Sequence, residues 1–188
     1  MDAFLSFLRA FAVAALLFPV GLATHEVMHL AVYSALGVPA VLQVTHWHLG
    51  LPALSGLTIF GLHAAPTGGV QVPFRILVAN NGLGPLLAMV PLFVLWLAVD
   101  GRSRDVRAAL LANVIVLLFF SAIELAYPLI EQVGGIDADA LLLPELNYGG
   151  VLVIVVVVTS VAAWRSTTPR LRVMPGRSWP PASRLPAP

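Results

Sequence analysis

Four apolar runs, residues 3–36, 76–99, 107–131 and 147–164, decide what this chain can fold into. A helix that crosses a hydrocarbon core about 30 Å thick needs about 20 mostly apolar residues. Each run is long enough. Composition agrees: of 188 residues 59% are hydrophobic and only 10% are charged, whereas soluble domains carry about 25% charged residues. The expected fold class is an all-α polytopic membrane protein with about four transmembrane helices. The first run is too long for one straight crossing and too short for two, so it reads as one long helix, bent near Pro19. A cleaved signal peptide fits it poorly, because Arg9 is its only early basic residue and ionisable side chains lie beyond its first apolar stretch. The chain has no cysteine. Disulfides and thiolate metal sites are therefore excluded, and any metal must use His, Asp or Glu.

All ten basic residues are arginine. With four crossings, one side of the membrane receives the N-terminus, the loop "DGRSRDVR" and the tail, with Arg102, Arg104, Arg107, Arg165, Arg170, Arg172, Arg177 and Arg184. The other side receives residues 37–72, which hold no Lys or Arg, and the acidic segment with Glu131, Asp137, Asp139 and Glu145. The positive-inside rule then places both termini in the cytoplasm. Trp96 and Trp164 fall at the cytoplasmic ends of their runs and Tyr33, Tyr127 and Tyr148 near the opposite ends, as interfacial aromatic belts would. Residues 38–70 are β-branched, alternate around Val41 to His48 and are punctuated by Gly and Pro, which predicts two short strands, a small sheet or a membrane-dipping hairpin. Residues 1–164 form the expected membrane core. Residues 165–188, rich in Arg, Pro and Ser, cannot bury a core and are expected to be a disordered tail.

Within the first apolar run stands "THEVMH", with His25, Glu26 and His29. An ionised residue near the bilayer centre costs about 2.5–3.5 kcal/mol even on the lenient insertion scale, so such residues face a protein interior and have partners. His25 and His29, four apart, share one helical face. Glu26 projects about 100° around the helix from His25. This is the H-E-x-x-H pattern, in which two histidines hold zinc and the glutamate takes the proton of the attacking water. The bland alternative is three polar residues satisfied by neighbouring helices. A catalytic zinc needs a third protein ligand. Glu124, Glu131, Asp137, Asp139, His46, His48 and His63 are the candidates, and Glu124 lies about as far from the end of its run as the H-E-x-x-H turn does from its own.

"THEVMH", the glycine-punctuated strand region after it, "FRILVANNGLGPLLA" and "GGIDADALL", in this order across roughly residues 15–145, resemble the site-2 protease family of intramembrane zinc metalloproteases. The resemblance implies a three-helix catalytic core and a zinc held by two histidines and an aspartate. Carried over by position, His25 and His29 become ligands, Glu26 the base and Asp137 the third ligand, with Asp139 the near alternative. The family often has asparagine and proline ahead of that aspartate and glycine after it, where this chain has Glu124, Pro128 and Ala138. Glu124 therefore stands for the asparagine as a polar site residue, or competes as ligand. No peptide-binding domain is inserted, so the chain would be a minimal member. The bacterial members place the H-E-x-x-H helix in the orientation opposite to the one the arginines imply.

The activity so implied is hydrolysis of peptide bonds in membrane-anchored proteins, in the cytoplasmic membrane of a prokaryote. Its cofactor is Zn2+ and its partners are a transmembrane protein substrate and the lipid bilayer, with no nucleic acid. Glu26, Asn80, Asn81 and Glu124 are expected to line a water-filled crevice, the asparagines serving equally well as hydrogen-bonding links between helices. Asn113 reads as such a link. Gly82, Gly84 and Pro85 permit close helix approach or loosen the second run. An edge in residues 41–63 could capture an unwound substrate by strand addition. His46 and His48, alternating around Trp47, would share a strand face. They read as interfacial or hydrogen-bonded residues, one of them available to an oxyanion, or as a second metal site completed by His63. A non-proteolytic metal-binding membrane protein or a small transporter is the alternative function.

Overall fold

The structure, a computed structural model, describes residues 2–48, 58–99, 103–135 and 144–167, with the side chains of residues 2, 45–48, 58–60, 144–148 and 166–167 outside that description. In chain order the elements are α1 (Asp2–Ala35), β1 (Ala40–His48), β2 (Thr58–Pro66), α2 (Phe74–Ala98), α3 (Arg104–Gly134) and α4 (Pro144–Thr167). The chain is mainly helical, with one small two-stranded sheet among the described residues. Three helices, α1, α2 and α3, are long and apolar enough to cross a membrane, and α4 carries a shorter apolar stretch, Gly149–Arg165. The helix α4 runs through Thr167, past the point where the tail was expected to begin. Residues 168–188 lie outside the described residues.

Helix α1 is a single continuous element of 34 residues that includes Pro19. At about 1.5 Å per residue it is about 51 Å long, well beyond a hydrocarbon core of about 30 Å. It ends in a Schellman turn. Gly37, at φ 75°, takes the left-handed conformation, Val38 N–H donates to Tyr33 O over 2.9 Å and Gly37 N–H to Ser34 O over 3.1 Å. This stop turns the chain directly into β1. Helix α3 ends in the same left-handed way at Gly135, whose N–H donates to Glu131 O.

Lipid offers no hydrophobic force between helices, so close packing and hydrogen bonds must hold them together. Helix α3 packs against α1, α2 and α4. Toward α1 and α4 it presents Ala109, Ala112 and Val116, which meet Ala14, Val151 and Val155. Toward α2 it presents Leu110, Val114 and Leu117, which meet Ala88 and Leu92. Asn113, 2% exposed, donates to Ala14 O on α1 and to Ala109 O in its own helix, the inter-helix role expected of it. The outward faces of α1 and α2 carry exposed Leu16, Val20, Val90, Phe93, Val94 and Leu95, the residues a lipid environment covers.

Strands β1 and β2 pair antiparallel, Leu42 opposite Ala64 and Gln43 opposite His63. Thr67 N–H donates to Pro39 O at the base of the hairpin. In an antiparallel ladder, hydrogen-bonded and non-hydrogen-bonded pairs alternate. Pairs 41–65 and 43–63 are therefore the bonded ones, and the N–H and C=O of Leu62 and Ala64 point away from β1. The outer edge of β2 lies along α1, and this edge enters the site described next.

Candidate metal centre

Measured back from the hairpin end of the bundle, His25 and Glu124 lie ten residues inside α1 and α3 respectively, and Asn80 six residues inside α2. At about 1.5 Å per residue these depths are about 15, 15 and 9 Å. Three helices thus bring polar side chains to similar depths below one surface.

His25 Nε2 and His29 Nε2 approach to 2.6 Å. Glu124 closes the triangle with Oε1 3.0 Å from His25 Nε2 and Oε2 2.9 Å from His29 Nε2. Both histidines are buried and Glu124 is partly so. Each Nε2 carries either a proton or a lone pair, and the carboxylate oxygens carry only lone pairs. If both rings are protonated at Nε2, two N–H groups oppose each other. If only one is, the other nitrogen turns a lone pair on Glu124. No placement of protons on two neutral rings makes all three contacts hydrogen bonds. A cation bound by all three groups does satisfy them, and two imidazoles with one carboxylate are the protein ligand set of a His2Glu catalytic zinc. Among the described residues this is the one group of three or more metal-binding side chains whose donor atoms converge, all within 4.8 Å of one another.

The local sequence explains why Glu124 sits here. Pro128, four residues on, has no N–H to give the Glu124 carbonyl. Asn81 supplies the missing donor, its Nδ2 lying 3.0 Å from Glu124 O. Ser121, one turn earlier, donates to Gly82 O. Gly82 lies against Leu125, where a Cβ would come within 2.9 Å of Leu125 Cδ2. On its other side α2 touches His29. Asn80 Nδ2 is 2.9 Å from His29 Nδ1, and a Cβ on Gly84 would stand 2.5 Å from that same nitrogen. The segment "NNGLGP" is thus the joint where α2 meets both helices that carry His25, His29 and Glu124. Gly84 allows close approach, one of the two roles the sequence left open for it.

Glu26, 7% exposed, is anchored from the hairpin. Ala64 N–H, on the outer edge of β2, donates to Glu26 Oε2 over 2.8 Å. Glu26, His25, His29, Asn80, Asn81 and Glu124 line one cavity of about 650 Å³, which continues past Tyr127 to Glu131 and His63. Those last two residues are exposed, so a polar path leads from the hairpin end to the buried histidines.

One expectation needs correction. Tyr33 and Tyr127 line this cavity rather than an interfacial belt, and Tyr33 is only 4% exposed. The reason is the tight turn at Gly37, which keeps the end of α1 beneath the hairpin. His63 pairs with Gln43, whereas His46 and His48 stand opposite Phe60 and Thr58. The side chains of His46 and His48 fall outside the described residues, as do Asp137 and Asp139 entirely. The anchoring of Glu26 by a backbone amide left no signature in the sequence. The Asn81 link had one, since Pro128 stands one turn beyond Glu124.

Searches against protein-family models, curated proteins and solved structures match nothing to this chain.

Proposed function

We propose that the chain is an intramembrane zinc metallopeptidase that hydrolyses peptide bonds of membrane-anchored proteins, a minimal member of the site-2 protease family. The observation that carries this reading is the convergence of His25 Nε2, His29 Nε2 and the Glu124 carboxylate on one point, beside the buried Glu26 and within a cavity that reaches the hairpin end. Asp137, the third ligand by family resemblance, lies outside the described residues. Glu124 is the carboxylate that stands within coordinating reach, and we assign it that role.

A zinc ion held there would polarise a scissile carbonyl and lower the pKa of a bound water to about 7. Glu26 accepts the proton of the attacking water and returns it to the leaving amine. Its anchored Oε2 fixes the carboxylate, leaving Oε1 for this exchange. A transmembrane substrate must unwind before its peptide bonds can be reached. The outer edge of β2, whose Ala64 amide reaches Glu26, lies at the site, and strand addition along the hairpin would hold the unwound segment there. The arginine distribution supports both termini in the cytoplasm, and the cavity would then open on the far side of a prokaryotic cytoplasmic membrane.

Glu26→Gln tests the proposal. In proteoliposomes with a labelled single-span substrate, the variant should keep its zinc and lose cleavage by about 100-fold or more. Cleavage at the wild-type rate would remove Glu26 from the chemistry. Metal flux across the vesicle in place of cleavage would favour a transporter.

A further inference from the structure

The two histidines of the centre are held differently. Among the described residues His25 has no polar partner for Nδ1, which is buried, and its ring packs near Phe120 with centroids 5.6 Å apart. His29 has Asn80 at Nδ1 and Gly84 beneath its ring. We propose that Asn80 is the positioning residue that selects the tautomer of His29, so that Nε2 presents a lone pair to the bound cation. The inference rests on the metal-site reading above.

The Asn80 carboxamide is 2% exposed. In the structure its Nδ2 faces His29 Nδ1, while its Oδ1 is buried with no hydrogen-bond partner among the described residues. A ring that accepts at Nδ1 carries its proton on Nε2, the atom 2.6 Å from His25 Nε2 and 2.9 Å from Glu124 Oε2. That tautomer cannot ligate a metal through Nε2. The two ends of a carboxamide have nearly the same shape, so a half-turn about the terminal torsion exchanges them in the same space. Oδ1 then accepts from Nδ1–H and Nε2 is left with its lone pair toward Glu124 and His25, while the amide NH2 takes the position that Oδ1 held, so the bound cation must outweigh that exchange. A metal-ligating histidine almost always donates its other N–H in this way, and losing the partner costs about 10–100-fold in metal affinity. Asn serves both states of the ring, donating to it when Nε2 is protonated and accepting from it when Nε2 binds a cation. Asp could serve only the second, and an aliphatic residue neither.

The test uses full-length protein in detergent, with zinc affinity measured by competition against a chelator and melting measured in excess chelator. Asn80→Leu should weaken zinc binding by about 10–100-fold, and Asn80→Asp, which keeps an acceptor, should recover most of that loss. Equal affinity in wild type and Asn80→Leu would overturn the inference. So would a loss that Asn80→Asp leaves in place, since packing alone would then be responsible. Should Asn80→Leu fail to fold, nitrogen-15 NMR of histidine in the zinc-loaded wild type decides alone. A protonated Nδ1 on His29 is expected, and a protonated Nε2 would refute the assignment. A wild-type protein that takes up no zinc would sink the metal-site reading itself, an outcome distinct from any difference between variants.

Discussion

Replacing Gly84 with alanine adds one methyl group at a tight contact between α2 and the helix that carries His29. Its Cβ would lie 2.5 Å from His29 Nδ1, 2.6 Å from Cε1 and 2.8 Å from Cγ. Ordinary contact begins at 3.4 Å, so the His29 ring or the helix must move by about 0.9 Å. Overpacking of this kind costs about 1–3 kcal/mol, and the better helix propensity of alanine offsets up to about 1 kcal/mol of it. The net destabilisation is then between about 0 and 3 kcal/mol. Metal binding should suffer more than folding, because ligand distances tolerate only about 0.2 Å. Gly149→Ala is the matched control, since among the described residues nothing lies within 4 Å of its added Cβ. Zinc competition and thermal melting on both variants would measure the two effects. We expect Gly84→Ala to lose at least about tenfold in zinc affinity and Gly149→Ala to behave as wild type. Wild-type zinc affinity in Gly84→Ala would refute the claim that the α2 joint holds His29 in place.

Two further predictions concern the other contacts of the site. Ala64→Pro deletes the N–H that anchors Glu26, and proline is tolerated there because that amide faces away from β1. Zinc content should stay unchanged while turnover falls about 10–100-fold, and an unaltered rate would show that the anchor is dispensable. Asn81→Leu strands the Glu124 carbonyl, whereas Pro128→Ala restores that carbonyl's own helical donor. A double-mutant cycle read by melting should give a coupling of about 0.5–3 kcal/mol, with Asn81→Leu milder in the Pro128→Ala background. Additive effects would mean that Asn81 does not replace the missing donor.

The membrane class and the helices were legible because bilayer thickness and hydropathy act on long stretches, and the four apolar runs match α1 to α4 closely. The hairpin was legible too, from alternation in Val41 to His48 and from the glycines around it. Within the site, the four-residue spacing of His25 and His29 fixed their common face, and the depth of Glu124 along its run matched theirs. Other features depend on how the helices rotate against one another, which no single run encodes. Gly84 could be read as packing or as loosening until His29 was seen beneath it. Tyr33 and Tyr127 sit where belt residues would by sequence position, yet they turn inward. The Ala64 amide is a backbone group, invisible to any reading of side-chain types.

The central claim is that one cation is held by His25, His29 and Glu124. Metal analysis of purified protein, for the wild type and for Glu124→Ala and Asp137→Ala side by side, tests it most directly. The account predicts about one zinc per wild-type chain, a similar content in Asp137→Ala and almost none in Glu124→Ala. Zinc retained in Glu124→Ala and lost in Asp137→Ala would contradict it.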